Sequence, residues 1–246
     1  MSSSVDSLHD LVPTVPCRAL SDASNPDWRP GAEDGVLHSE IFATGDEAAG
    51  GALALALAVD RLAADRSEGN AACVDDRPIL WVQDAQAIRV TGRPYRPGLP
   101  EALRHRLIHV AAATVEDALF ALEEGVRCRD LAGVIGEVTG NPRALDFTAS
   151  RRLSLAAERH GVPLWLVRID ARRDLSSARM RWAATAAPSH PPCWNGNAPG
   201  DPAWRADLFR ARRHRPAELV LRQHDQGLLR DDTAPVPASH PAWEAG

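Results

Sequence analysis

Lysine is missing altogether: all 28 basic residues of this 246-residue chain are arginine. A site that needs a lysine's flexible point charge therefore has none to draw on, and arginine's planar fork is not equivalent in reach. Arginine suits phosphate forks and interface pairs, although a lysine-free surface is also what high-GC coding bias produces. Cysteine is sparse and scattered at Cys17, Cys73, Cys128 and Cys193. There is no C-x-x-C and no histidine beside them with ligand spacing, which excludes the common zinc patterns; in a chain this long a disulfide framework is also excluded. The nine histidines form no ligand spacing either, so no metal is expected. No apolar run approaches the ~20 residues that span a bilayer, the most apolar segment being the short "ALALALAV". The start, "MSSSVDSLHDLVPTVPCR", lacks a basic stretch followed by an apolar one, so it does not read as a signal peptide, and the cytoplasm is the expected location. The formal net charge of −5 does not announce a nucleic-acid binder.

What is present is alternation. Residues 1–34 are rich in Ser, Asp and Pro without sustained periodicity and read as a disordered arm. From Leu37 to Ala43 a strand leads into a helix around Ala48–Ala64. The polar insertion "DRSEGNAACVDDR" precedes a short buried strand, "PILWVQD", and "LIHVAAA" is the next strand. "TVEDALFALEEGVR" is a helix capped by Thr114 with Asp117 three residues on, its stripe made by Val115, Ala118, Leu119, Leu122 and Val126. "DLAGVIGEV" is a continuous apolar run of the kind found inside parallel sheets. "FTASRRLSLAAERH" is a helix closed by Gly161, and "VPLWLVRI" is another buried strand. The fold class is α/β: a mainly parallel sheet flanked by helices. After Arg172 the style changes. "ARMRWAATAA" reads as a strand, 188–202 as a Pro/Gly-rich loop, and "AWRADLFRARRHRPAELVLRQ" as an antiparallel hairpin on the sheet edge. One domain is expected over 35–230, with a disordered tail from 231 to 246.

The turn between the first strand and first helix, "FATGDEAAGGAL", has the outline of a phosphate-binding loop, G-x-x-x-x-G-K-[ST]. Gly45 and Gly50 stand at the glycine positions, but Gly51 is at the lysine position and Ala52 at the hydroxyl position. Backbone N–H groups alone can cradle an anion. Removing the ammonium forfeits a few kcal/mol at about 4 Å and an effective dielectric near 20, and Ala52 cannot ligate a metal. Asp46 and Glu47 add negative charge beside the cradle. No cofactor and no catalysis are expected from this loop, whose glycines are then a packing device.

"LHSEIFATGDEAAGGALALALA" resembles the phosphate-loop segment of the RecA family, apart from the lost Lys and Thr. "LWVQDAQA" resembles that family's second apolar strand and catalytic turn, which puts Gln86 where the catalytic glutamate belongs. "AGVIGEV" resembles the Walker B strand, with Glu137 at the metal-facing acid position. More narrowly, "LHSEIFA", "RPYRPGL", "VEDALFALEEGVRCRDLAGVIGEV", "LDFTASRRLSLAAERHGVPLWLVR", "ARMRWAATAAPS" and "WRADLFRARRHRPAEL" resemble, in this order, segments of the ImuA (inducible mutagenesis protein A) family, members of which are also labelled RecA-like or SulA-like. The resemblance covers roughly residues 35–222. It implies a RecA-like fold and a non-catalytic, pseudo-ATPase adaptor in SOS-induced, error-prone translesion DNA synthesis. The partners it implies are ImuB, a polymerase homologue without catalytic acids, a C-family error-prone polymerase, and the RecA filament. The alternative is a regulatory inhibitor that binds a cell-division protein or that filament.

The last candidate group is Trp204 with Arg205, Arg210, Arg212, Arg213, Arg215 and Arg222. On a hairpin these residues could meet a DNA backbone weakly or an acidic patch on a protein partner. They could equally be a charged edge that blocks aggregation.

Overall fold

The structure, a computed structural model, describes residues 28–33, 35–68, 75–224 and 227–231. The strands are β1 (His38–Ala43), β2 (Ile79–Asp84), β3 (Leu107–Ala112), β4 (Gly133–Thr139), β5 (Leu164–Ile169), β6 (Met180–Ala187), β7 (Ala203–Ala211), β8 (Ala217–His224) and β9 (Gly227–Arg230). The helices are α1 (Ala49–Glu68), α2 (Ala85–Thr91), α3 (Glu101–Arg104), α4 (Val115–Arg127) and α5 (Phe147–His160). All nine strands form one sheet in the order β3-β2-β4-β5-β1-β6-β7-β8-β9. The ladders from β3 through to β6 are parallel, and those joining β6 to β7, β8 and β9 are antiparallel. The expected α/β class and the antiparallel edge are therefore present. β9, beyond the expected hairpin, is an addition.

Period-two alternation assigns the two faces of the sheet. Ile41, Trp81, Ile135, Trp165, Val167 and Trp182 pack on the side of α1, whereas Leu80, Val82, Val134, Val138, Leu164 and Leu166 pack on the side of α4 and α5. β2, β4 and β5 are buried on both faces, which is why they read as unbroken apolar runs. The expected cap of α4 is present: Thr114 Oγ1 accepts from the Asp117 N–H at 3.1 Å and its hydroxyl donates to Asp117 Oδ2 at 2.8 Å. Gly161 closes α5 in the left-handed conformation, φ 73°.

The arm expected over 1–34 does not hold at its far end. Trp28 lies 6.1 Å from the Trp182 ring and 4.7 Å from that of His214, and its Nε1–H donates to Glu33 at 2.9 Å. Residues 1–27 and 34 lie outside the described residues, as do 69–74 of the insertion and 232–246 of the tail. Asp60, fully buried on α1, gathers the chain's distant segments. Its carboxylate accepts from Arg29 Nη2 at 2.8 Å, from the Gly31 N–H at 3.0 Å and from the Leu228 N–H at 3.1 Å. Gly227 must be glycine here: its φ is +129° and an added Cβ would lie 2.4 Å from Asp60 Oδ1.

Two outcomes follow from buried polar groups. Asp60→Ala strands two amides and a guanidinium, so it should cost about 3 kcal/mol. Amide hydrogen exchange should then quicken at β9 before it does in the parallel sheet. His38 is buried beneath α5, Nδ1 lying 2.7 Å from Ser154 Oγ, and burial is the main cause that lowers its pKa to about 4. A folded-state pKa below the ordinary 6.5 means the unfolded chain takes up the proton first. Stability from this group is therefore whole above pH 6.5 and is lost as pH falls toward 4, by about 3 kcal/mol. Denaturant titrations at stepped pH should show that slope, and His38→Asn should remove it.

Candidate functional site

The loop after β1 and the C-terminal ends of β2, β4 and β5 enclose a cavity of about 180 Å³. Its floor is set by strand alternation, which puts Trp81 and Gln83 of β2 on the α1 side together with Glu137 of β4. Glu137 is 3% exposed. Trp81 Nε1–H donates to its Oε1 at 3.0 Å and Gln83 Nε2–H to its Oε2 at 2.9 Å. The Thr91 hydroxyl lies 2.8 Å from Oε2 and 3.0 Å from the Ala87 carbonyl; its single proton serves one acceptor at a time, and the carboxylate is the stronger. Gln83 is oriented from behind. Its Oε1 is 2.9 Å from His109 Nε2, and since an amide oxygen only accepts, that nitrogen carries the proton. Burial, and then the neighbouring Arg93 and Arg96, hold His109 below its ordinary pKa. Burial pushes the Glu137 carboxyl up, against the hydrogen bonds of Gln83, Thr91 and Trp81, which pull it down.

The glycines of the loop are packing contacts. A Cβ on Gly50 would come within 2.8 Å of both Ala43 and Val167. On Gly51 it would meet Glu137 Oε1 at 2.7 Å and Trp81 at 3.3 Å, and on Gly45 it would meet Val90 at 2.4 Å. Ala52 packs against the core. One amide of the turn and both its acids are bound internally. Gly45 N–H donates to Asp170 Oδ1 at 2.9 Å, so the chain's own carboxylate takes the place of an outside anion. Asp46 accepts from the Thr44 hydroxyl, and Glu47 accepts from the Ala186 N–H at 3.0 Å, which ties the loop to β6. A magnesium nucleotide does not fit these residues. Gln83 and Thr91 fill Oε2, Trp81 donates to Oε1 where a lysine side chain from Gly51's position would have to pass, and the cavity is smaller than the ~300 Å³ at which ligand pockets begin. Among the described residues no cluster of three or more His, Cys, Asp or Glu could hold a metal ion.

No family model matches the chain. Over 140 residues it is 34% identical to Protein ImuA of Caulobacter vibrioides, in each of two strains, a match that takes in 53% of this chain and 54% of the relative. Over that half, this chain is an ImuA relative. The family resemblance carried by the sequence motifs is thereby borne out, and the chain spans about half the length of the curated relatives it matches.

Other residues singled out beside the ImuA resemblance are placed differently. Gln86 is exposed on α2 and does not line the cavity; the glutamine that reaches Glu137 is Gln83. Alternation on β2 could have found it, since Trp81 and Gln83 share a face. Trp204 is no contact residue: at 4% exposure it is core beneath α1. Arg222 is bound to Asp231, and Arg205 lies 3.9 Å from Glu218 across the β7–β8 pair. Arg213 is half-buried, while Arg210, Arg212 and Arg215 are exposed around the β7–β8 turn. No helix among the described residues is long and apolar enough to cross a membrane.

The packing role of the loop is testable at Gly51. Gly51→Ala should destabilise the fold by about 1–3 kcal/mol through overpacking, even though alanine's helix propensity favours it by roughly 1 kcal/mol. Thermal unfolding measures the sign, and an unchanged or raised Tm would show that the helix start has room to spare.

Proposed function

We propose that this chain is a non-catalytic, RecA-like adaptor of the damage-induced, error-prone translesion machinery, acting by contact beside an ImuB-type polymerase homologue and a C-family error-prone polymerase. The observation that carries the reading is the state of Glu137. In a phosphate-transferring site the acid at this strand end works with a metal, and a lysine at the loop reaches the outer phosphates. Here an indole, an amide and a hydroxyl surround the acid, and Gly51 abuts it. The likeness to Protein ImuA supports the mutagenesis setting. The parallel sheet with its loop after β1 supports the RecA-like frame.

Calorimetry with Mg-ATP should give no binding heat and a phosphate-release assay no turnover; micromolar affinity or steady hydrolysis would sink the non-catalytic half. For the assembly half, deleting the chain from its host should abolish damage-induced mutation while leaving undamaged growth unaltered. A deletion strain that mutates normally after damage counts against it.

A further inference from the structure

Glu137 is held by hydrogen bonds, yet none of its partners is a cation: no arginine lies within ion-pair distance of it among the described residues. Its two oxygens are unequally served. Oε2 faces Gln83 and Thr91, whereas Oε1 has Trp81 alone and keeps a lone pair. The cavity that reaches this carboxylate is walled by Trp81 and Val167 within and by Tyr95 at its mouth, and Tyr95 is 74% exposed, a large ring with little covering it. Glu47 adds a second acid to the lining. An acid at the floor, aromatic walls and about 180 Å³ of space match a single long cationic side chain far better than a nucleotide.

We propose that the cavity is a socket for one arginine side chain presented by a protein partner, its guanidinium directed at Glu137 and its stem against Trp81 and Tyr95. This deepens the adaptor reading and rests on it. Three chemical features select the occupant. A buried carboxylate gains most from a partner that brings both charge and directed donors. A guanidinium is more weakly hydrated than an ammonium, so it loses less on entering, and its plane stacks on aromatic rings. An exposed ring beside a pocket, covered when one side chain enters, is the arrangement of an anchor residue at an interface. Arg93, which also lines the cavity, acts against the occupant as a like charge, but it is solvent-exposed and its repulsion is screened.

The test titrates the full chain with a short peptide holding a central arginine, with the same peptide holding citrulline, and with free agmatine, while following the Trp81 indole N–H resonance. The arginine peptide should bind about ten-fold tighter than its citrulline twin, the ratio set by the charge-assisted contact, and should move the indole signal. Tyr95→Ala should weaken it several-fold without lowering Tm, and Arg93→Gln should strengthen it roughly three-fold. Equal affinity for the citrulline peptide, or an indole signal that stays put, overturns the socket; agmatine binding more tightly than the peptide overturns the protein source. Mg-ATP run in parallel separates the two failures. Nucleotide binding in this cavity would sink the adaptor reading, whereas silence from both arginine and nucleotide sinks the socket alone.

Discussion

A carboxylate sunk beneath a phosphate-type loop has to be balanced by something, and Glu137 is balanced by neutral donors. That single substitution of means rearranges its surroundings. With no cation to accommodate, the start of α1 settles directly onto β4 and β2, and Gly51 becomes a residue defined by what it touches. Gln83 presents its amide hydrogens inward, so His109 on the neighbouring strand presents its Nε2–H to the amide oxygen. The order runs from β3 through β2 to β4 as one polarised chain, and each link fixes the orientation of the next. Gly45 tells the same story at the loop itself, where Asp170 supplies from within the anion that such a turn is shaped to receive.

Acids serve as tie points elsewhere in the sheet. Glu40, fully buried on β1, accepts from Arg181 Nε of β6 at 2.8 Å, with Arg168 Nη1 3.8 Å away. The Arg181 guanidinium also lies over Phe42 and Phe209, at 5.0 and 5.3 Å from the ring centres, and Arg173 lies 3.7 Å over Phe209. Removing either partner of such a pair leaves an uncompensated charge in the interior, which costs more than the pair contributes. β6 is where the sheet changes from parallel to antiparallel, so this pair anchors the C-terminal strands to the parallel half. Asp60 does the corresponding work on the opposite face, joining α1 to β9 and to the segment that precedes β1.

How much of this was legible depended on whether the cause was local. The apolar run of β4, the Thr114 cap and the Gly161 stop are statements about neighbouring residues, and each element lies where those residues put it. The loop's missing lysine and hydroxyl are local too. Gln86 misled because a motif position was counted along the chain, whereas burial follows strand alternation, and the strand ends at Asp84. Asp60 interrupts an apolar stretch, a visible sign of burial, whereas Glu40 follows the polar pair His38 and Ser39; their partners lie 168 and 141 residues away and leave no mark in the local pattern. The docking of residues 28–33 was hidden by a Pro- and Ser-rich composition, against which Trp28 was the one signal.

The absence of lysine acquires a physical sense from these contacts, whatever coding bias contributed. Arg77 spans Asp75, the Arg129 carbonyl and the Leu131 carbonyl at 2.8–3.3 Å, and Arg181 joins Glu40 to the Asp174 carbonyl. These are fork contacts that tie several acceptors at once, and one ammonium on a flexible stem cannot reproduce the geometry. Where the fork is already spent internally, as in Arg222 with Asp231, an arginine offers little to a partner. The exposed forks at Arg210, Arg212 and Arg215 retain that capacity. The arginines of the hairpin are thus divided by chemistry: Arg205 and Arg222 serve the fold, and Arg210, Arg212 and Arg215, at and beside the turn, are the ones able to reach outward.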